Sequence, residues 1–223
     1  MAISTQERTN IIKLVVGMFN AAPGAAYLNE FVDAFDAMGN SYEGLATALG
    51  NTGAFKSLYP SSLTNEEKAT KFLKTLGLEN NTEAQEWVAG KLNAGEAMSS
   101  VILQALVAII ETTSPDFADA QALLNNKAAV AEYYSVTLGQ SSDDLATLQG
   151  QLSNVKADSD VSSPDAIEAL LPDGGSDGGD SDDGCSCRAA GDVQGRDAQG
   201  RQHRSGADRG RGRHRIADRD RAP

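Results

Sequence analysis

The 223-residue chain carries a formal charge of −12, with 40% of its residues hydrophobic and 22% charged. Residues 1–171 hold all of that charge, with 9 Lys+Arg against 21 Asp+Glu, whereas residues 172–223 hold 10 of each. No apolar run approaches the roughly 18 residues that span a bilayer, and residues 1–171 contain neither Cys nor His, which removes thiol nucleophiles, zinc sites, imidazole bases and disulfides from that region.

Apolar residues recur at three- and four-residue spacing through 1–171, and helix punctuation marks the breaks. Ser4-Thr5-Gln6-Glu7 is a capping box ahead of Ile11, Ile12, Leu14, Val15, Met18 and Phe19. Arg8 and Lys13 precede too short and too late an apolar stretch for a Sec signal. Ala22-Pro23-Gly24 breaks the chain before a stripe of Tyr27, Leu28, Phe31, Val32, Phe35 and Met38, with Gly39 placed as a left-handed cap. Ser41 opens a short helix bearing Tyr42, Leu45 and Leu49. Thr64-Asn65-Glu66-Glu67 is a second capping box, leading to Phe72, Leu73 and Leu76. Asn81 or Thr82 starts a helix through Trp87, Val88 and Leu92 that ends near Gly95.

Residues 96–113 are apolar nearly all round, which predicts the buried centre of a bundle. Ser114-Pro115-Asp116 starts a helix bearing Phe117, Leu123, Leu124, Val130, Tyr133 and Tyr134. Ser141 opens one with Leu145, Leu148 and Leu152, and Ser163-Pro164 opens the last, with Ile167, Leu170 and Leu171. The expected fold is therefore all-α, a compact bundle of about nine to ten helices. A faint echo runs through its first half. Glu30-Phe31-Val32 and Glu86-Trp87-Val88 stand 56 residues apart, as do Gly39 and Gly95. Either two related three-helix units are stacked, or an Ala/Leu-rich helical sequence repeats by chance.

The later part differs in kind. All twelve aromatics lie at or before Tyr134, and after residue 171 the only branched aliphatics are Val193 and Ile216. Such a segment builds no core. The expected organisation is a helical domain at 1–171, an acidic Gly/Asp/Ser linker at 172–187 and a disordered Arg-rich tail at 188–223. The run Asp173–Gly184 lacks the aliphatic of a calcium β-roll repeat and the register of an EF-hand. It reads as a flexible linker, with weak calcium association as the alternative. Cys185-Ser186-Cys187 has no second pair, and His203 and His214 are remote from it. The tail invites a nucleic-acid reading, but its ten Arg are interleaved with five Asp and no aromatic is present for stacking. The switch from Lys to Arg, with Gly, Ala, Asp and Gln dominating, also matches a high-GC frame translated out of register. On that reading authentic coding ends near 172–187.

Within the domain, Phe31, Trp87, Tyr133 and Tyr134 read as packing residues rather than a ligand box. Glu66-Glu67 and Asp143-Asp144 sit in predicted first turns, where carboxylates meet the helix dipole favourably. Asp158 and Asp160 form a third pair. No residue is assigned a catalytic, cofactor-binding or metal-binding role.

Two segments resemble a known family. Leu76-Gly77, Glu86-Trp87-Val88 and Leu92-Asn93-Ala94-Gly95 form one, and Asn126–Leu138, with Glu132-Tyr133-Tyr134, forms the other. They resemble a helical domain of uncharacterised function at the N-termini of large bacterial S-layer-like and RTX-type surface proteins, and the resemblance covers roughly residues 8–170. It implies an acidic, Cys-avoiding module without an N-terminal signal, followed by calcium-binding β-rich repeats and a C-terminal signal for type I secretion. This chain departs from that pattern, since no such repeats follow and the terminus is Arg-rich.

The implied setting is extracellular or at the cell surface for the parent protein, with no export signal evident here. The implied role is that of a non-catalytic module, truncated before its repeats. It would anchor to a cell-surface glycan or lipopolysaccharide, or self-associate. A −12 domain needs bridging calcium to meet an anionic glycan, and it repels nucleic-acid phosphates. The alternative is an intracellular helical adaptor with a nucleic-acid-binding Arg-rich tail.

Overall fold

The computed structural model describes residues 3–172, and these form ten α-helices with no strand among them. Helix α1 (Thr5–Phe19) begins where the capping box predicts. The Glu7 N–H donates to Ser4 Oγ at 3.2 Å, and the Ser4 N–H donates to Glu7 Oε2 at 2.8 Å. These bonds favour the ionised form, holding the Glu7 carboxyl below its usual pKa. Then follow α2 (Ala25–Ala37), α3 (Tyr42–Gly50), α4 (Gly53–Leu58) and α5 (Asn65–Lys74). The second capping box closes α5 in the same way, with the Glu67 N–H on Thr64 Oγ1 and the Thr64 N–H on Glu67 Oε2. Helices α6 (Thr82–Asn93), α7 (Met98–Glu111), α8 (Ala118–Glu132), α9 (Leu145–Gly150) and α10 (Pro164–Glu168) complete the set.

Three local departures from the sequence pattern have clear causes. Helix α4 has no apolar periodicity of its own to announce it. It forms because Thr52 accepts the Phe55 N–H and because the Phe55 ring is buried edge-on to Phe19, their centroids 5.9 Å apart. Helix α9 starts three residues later than Ser141 predicts, because Asp144 takes the capping role and accepts the Ala146 and Thr147 N–H groups. The Ser114-Pro115 start initiates a single 3-10 turn, Pro115–Phe117, before α8 proper. At its far end α8 loosens into a π-turn at Tyr133–Thr137.

The central helix is α1, not α7. Every residue of α1 from Leu14 to Phe19 is buried, and α1 packs on α7 and, more extensively, on α8. Gly17 makes the approach to α7 feasible, since a Cβ there would stand 2.5 Å from Leu106 Cδ1. Helix α7 buries Val101, Ile102, Ala105, Leu106 and Ile109, yet Val107 and Ile110 remain 43% and 38% exposed. An all-round apolar pattern therefore did not make this helix the centre. It lies at the edge of the core with one apolar face uncovered by the described residues.

The sequence echo has a local counterpart. Helices α1–α2–α3 and α5–α6–α7 follow the same order, and each set opens on a capping box. Gly39 and Gly95, at the corresponding turns, have φ of 67° and 89°. The packing does not repeat: α1 sits at the centre between α7 and α8, whereas α5 pairs mainly with α6.

Candidate functional site

The four aromatics singled out by sequence do not form one site. Tyr134 is buried, Tyr133 is half-buried, and Phe31 and Trp87 line different grooves. The carboxylate pairs are largely accounted for by local structure. Glu66 and Glu67 lie in the first turn of α5, and Asp144 caps α9. The Asp160 carboxylate accepts the Ser162 N–H at 2.9 Å. Among the described residues no group of three or more His, Cys, Asp or Glu side chains is arranged to hold a metal ion. Residues 173–187 of the expected linker, the weak calcium association placed there, and the tail with His203 and His214 lie outside the described residues.

Three features of the domain stand out. The first is the outer face of α6 and α7. From Met98 to Ile110 α7 carries no charged residue. On one side a groove of about 260 Å³ runs between α1 and α7, lined by Leu103, Val107 and Ile110 with Lys13 and Glu111 at its edge. Burial lowers the Lys13 pKa from its ordinary value. On the other side a groove of about 190 Å³ holds Ala105, Ala108, Ile109 and Phe117 beside Trp87, which is 40% exposed, with Glu83 its one charged lining residue. Trp87 is held by the Lys91 ammonium, 5.6 Å from its ring centroid. Lys91 is itself paired with Glu96 at 2.9 Å. Helix α7 is thus an apolar ridge with an apolar groove on either flank.

The second feature is Lys127 on α8, 6% exposed. Its ammonium donates to Asn20 Oδ1 at 2.8 Å and to the Thr75 carbonyl at 2.7 Å. Asn20 caps α1 in the left-handed conformation and Thr75 caps α5, so one side chain ties three helices together. Both partners are neutral oxygens, and burial lowers the Lys127 pKa to about 8. Such an amine resembles a catalytic lysine in its acidity. Its burial and its two structural bonds make it a clamp instead.

The third feature is a groove of about 290 Å³ beside α2, with Tyr27, Glu30, Phe31 and Asp143 among its lining residues. In the sequence Glu30 stands out only as part of the 56-residue echo, Phe31 there and among the packing aromatics, and Asp143 only as part of a carboxylate pair. The i, i+3, i+4 spacing of Tyr27, Glu30 and Phe31 was the available signal for a shared face of α2.

No protein-family model matches this chain, and neither the curated proteins nor the solved structures contain a match. Among the described residues no helix is long and apolar enough to cross a membrane.

Proposed function

We propose that the helical domain is a non-catalytic module of a cell-surface or secreted protein, and that it works by self-association through the outer face of α6 and α7. The observation that carries this reading is the uncharged, part-exposed ridge of Val107 and Ile110, flanked by Trp87, on a domain whose remaining surface is strongly acidic. Contiguous exposed apolar surface rimmed by polar groups is characteristic of interaction sites, and aromatic anchors such as Trp87 are enriched in them. Two copies of this acidic domain repel each other, so the α7 ridge, free of charge from Met98 to Ile110, is the approach of lowest electrostatic cost. At its edge, Lys13 and Glu111 supply one charge of each sign to a two-fold pairing. The surface setting rests on the family resemblance of segments 76–95 and 126–138, together with a domain free of Cys and His.

The test is sedimentation equilibrium of the full chain across a hundredfold concentration range. A weak dimer is expected, with Kd on the order of micromolar. It should tighten as salt rises, because screening removes the repulsion between acidic domains. Val107→Lys should shift the protein to monomer without changing its helicity. A wild-type chain that stays monomeric at all concentrations and salts, or a V107K chain that dimerises as well as wild type, contradicts the reading.

A further inference from the structure

The groove beside α2 has a composition that narrows its ligand chemistry. Its floor is apolar, built from Val15 and Phe19 of α1, Leu49 of α3, and Leu145 and Leu148 at α9. One wall is aromatic: Tyr27 and Phe31 lie one turn apart on α2 with ring centroids at 6.2 Å and planes at 18°. Glu30 and Asp143 also line it, and no Lys, Arg or His does. The Tyr27 hydroxyl donates to Asp143 Oδ1 at 3.4 Å, which leaves the other carboxylate oxygen available. Both acids are exposed, so a ligand reaches their carboxylates from solvent.

Each class of small ligand meets this site differently. An anion is repelled by two carboxylates with no cation to offset them. A sugar gains hydroxyl bonds to Glu30 and Asp143, but its other hydroxyls press onto Leu49, Leu145 and Leu148, where they lose water without gaining partners. A purely apolar molecule gains the floor but nothing from Glu30 and Asp143. An ammonium group on an apolar body matches every part: its charge meets the carboxylates and the aromatic faces, and its body covers the floor. At about 290 Å³ the groove lies near the lower end of ligand-pocket volumes, which favours a small molecule. We propose that this groove is a binding site for a small amphiphilic organic amine, with its ammonium at Glu30 and Asp143 and its apolar body between the Tyr27–Phe31 wall and the leucine floor. The site is separate from the α6–α7 face and does not depend on self-association.

The experiment is a titration of the full chain with 4-phenylbutylamine at low ionic strength, followed by NMR shifts of the Leu49, Leu145 and Leu148 methyls and the Phe31 ring. Saturable shifts confined to these residues are expected. The neutral analogue 4-phenylbutanol should bind about fivefold or more weakly, and 4-phenylbutyrate should not bind. In the double variant Glu30→Gln, Asp143→Asn the amine should weaken to the level of the alcohol. This variant keeps an acceptor for the Tyr27 hydroxyl, so an unchanged thermal midpoint is its folding control. Equal binding of amine and alcohol, undiminished amine binding by the double variant, or no shifts with up to about 10 mM amine would overturn the proposal.

Discussion

Helices α1 and α7 both carry long apolar stretches, Leu14–Phe19 and Val101–Ile110, and they have opposite fates. Helix α1 is enclosed on every side by its own chain from Leu14 to Phe19, while α7 is enclosed on one side and presents Val107 and Ile110 on the other. Composition alone does not separate them. What separates them is whether neighbouring helices supply a second layer: α8 and α7 both cover α1, whereas α7 rests on α1, α3, α6 and α8 along one side and leaves Val107 and Ile110 exposed on the other. An all-round apolar helix at the rim of a core leaves one apolar face for a partner to cover, which is the face proposed for self-association.

That contrast predicts a large asymmetry in mutational cost. Val16→Asp places an unpaired carboxylate in the fully buried α1 and should cost more than about 4 kcal/mol, enough to unfold the domain. Val107→Asp adds the same group to α7 and should change monomer stability by less than about 1 kcal/mol. Urea unfolding of both variants measures the difference, and equal losses would abolish the distinction between the two helices.

The next effect concerns what holds α1 to its neighbours. Lys127 has a folded pKa of about 8 against an ordinary 10.5. Between those values the unfolded chain holds a proton that the folded chain has released. Stability therefore rises with pH across that window, by about 2 kcal/mol from pH 7.5 to 9.5. Tyr59 acts in the opposite sense at higher pH, because burial raises its pKa and the unfolded tyrosine ionises first above about pH 10. Urea unfolding as a function of pH should thus show a maximum near pH 10. In Lys127→Met most of the rise between pH 7.5 and 9.5 should vanish, leaving only the smaller contribution of Lys13, which has the same sign; an undiminished rise would place its source elsewhere.

The smallest effect tests whether the echoed helices are locally equivalent. Thr64→Ala removes the hydroxyl that accepts the Glu67 N–H and should cost about 1 kcal/mol, as should Ser4→Ala at the head of α1. Thermal unfolding of the two variants compares them directly. A cost at Ser4 several times that at Thr64 would show that the burial of α1 amplifies its cap, and the equivalence would then be local in form only.

Much of this architecture could be read from residue order because its signals are local. Capping boxes at Ser4 and Thr64, the prolines at 115 and 164, and the stripes between them mark helix starts through bonds within one turn. The burial of Lys127 and the exposure of α7 are set by distant contacts. Lys127 sits in the polar-looking run Asn125-Asn126-Lys127, and its burial follows from Asn20 and Thr75, far away in the chain. A local hint existed, since Leu124, Lys127, Ala128 and Ala131 share the inward face of α8. Ser141 marks the expected start of α9, but it is followed by Ser142, Asp143 and Asp144, equally competent caps, and Asp144 takes the role. The choice coincides with tertiary backbone bonds, from the Ala25 N–H to the Gln140 carbonyl and from the Ala22 N–H to the Leu148 carbonyl. The exposed side of α7 was invisible for the same reason, because periodicity reports that a face is apolar and not what covers it.

The interface claim is tested most directly by crosslinking at the ridge itself. In a Cys185→Ser, Cys187→Ser background, Ala108→Cys places a thiol on the exposed face of α7, and Thr47→Cys places one on the exposed face of α3 as a control. Mild oxidation should give a disulfide-linked dimer from A108C and little from T47C. Equal crosslinking of the two variants, or a monomeric A108C under conditions where the wild type dimerises, would contradict the assignment of α7 as the self-association surface.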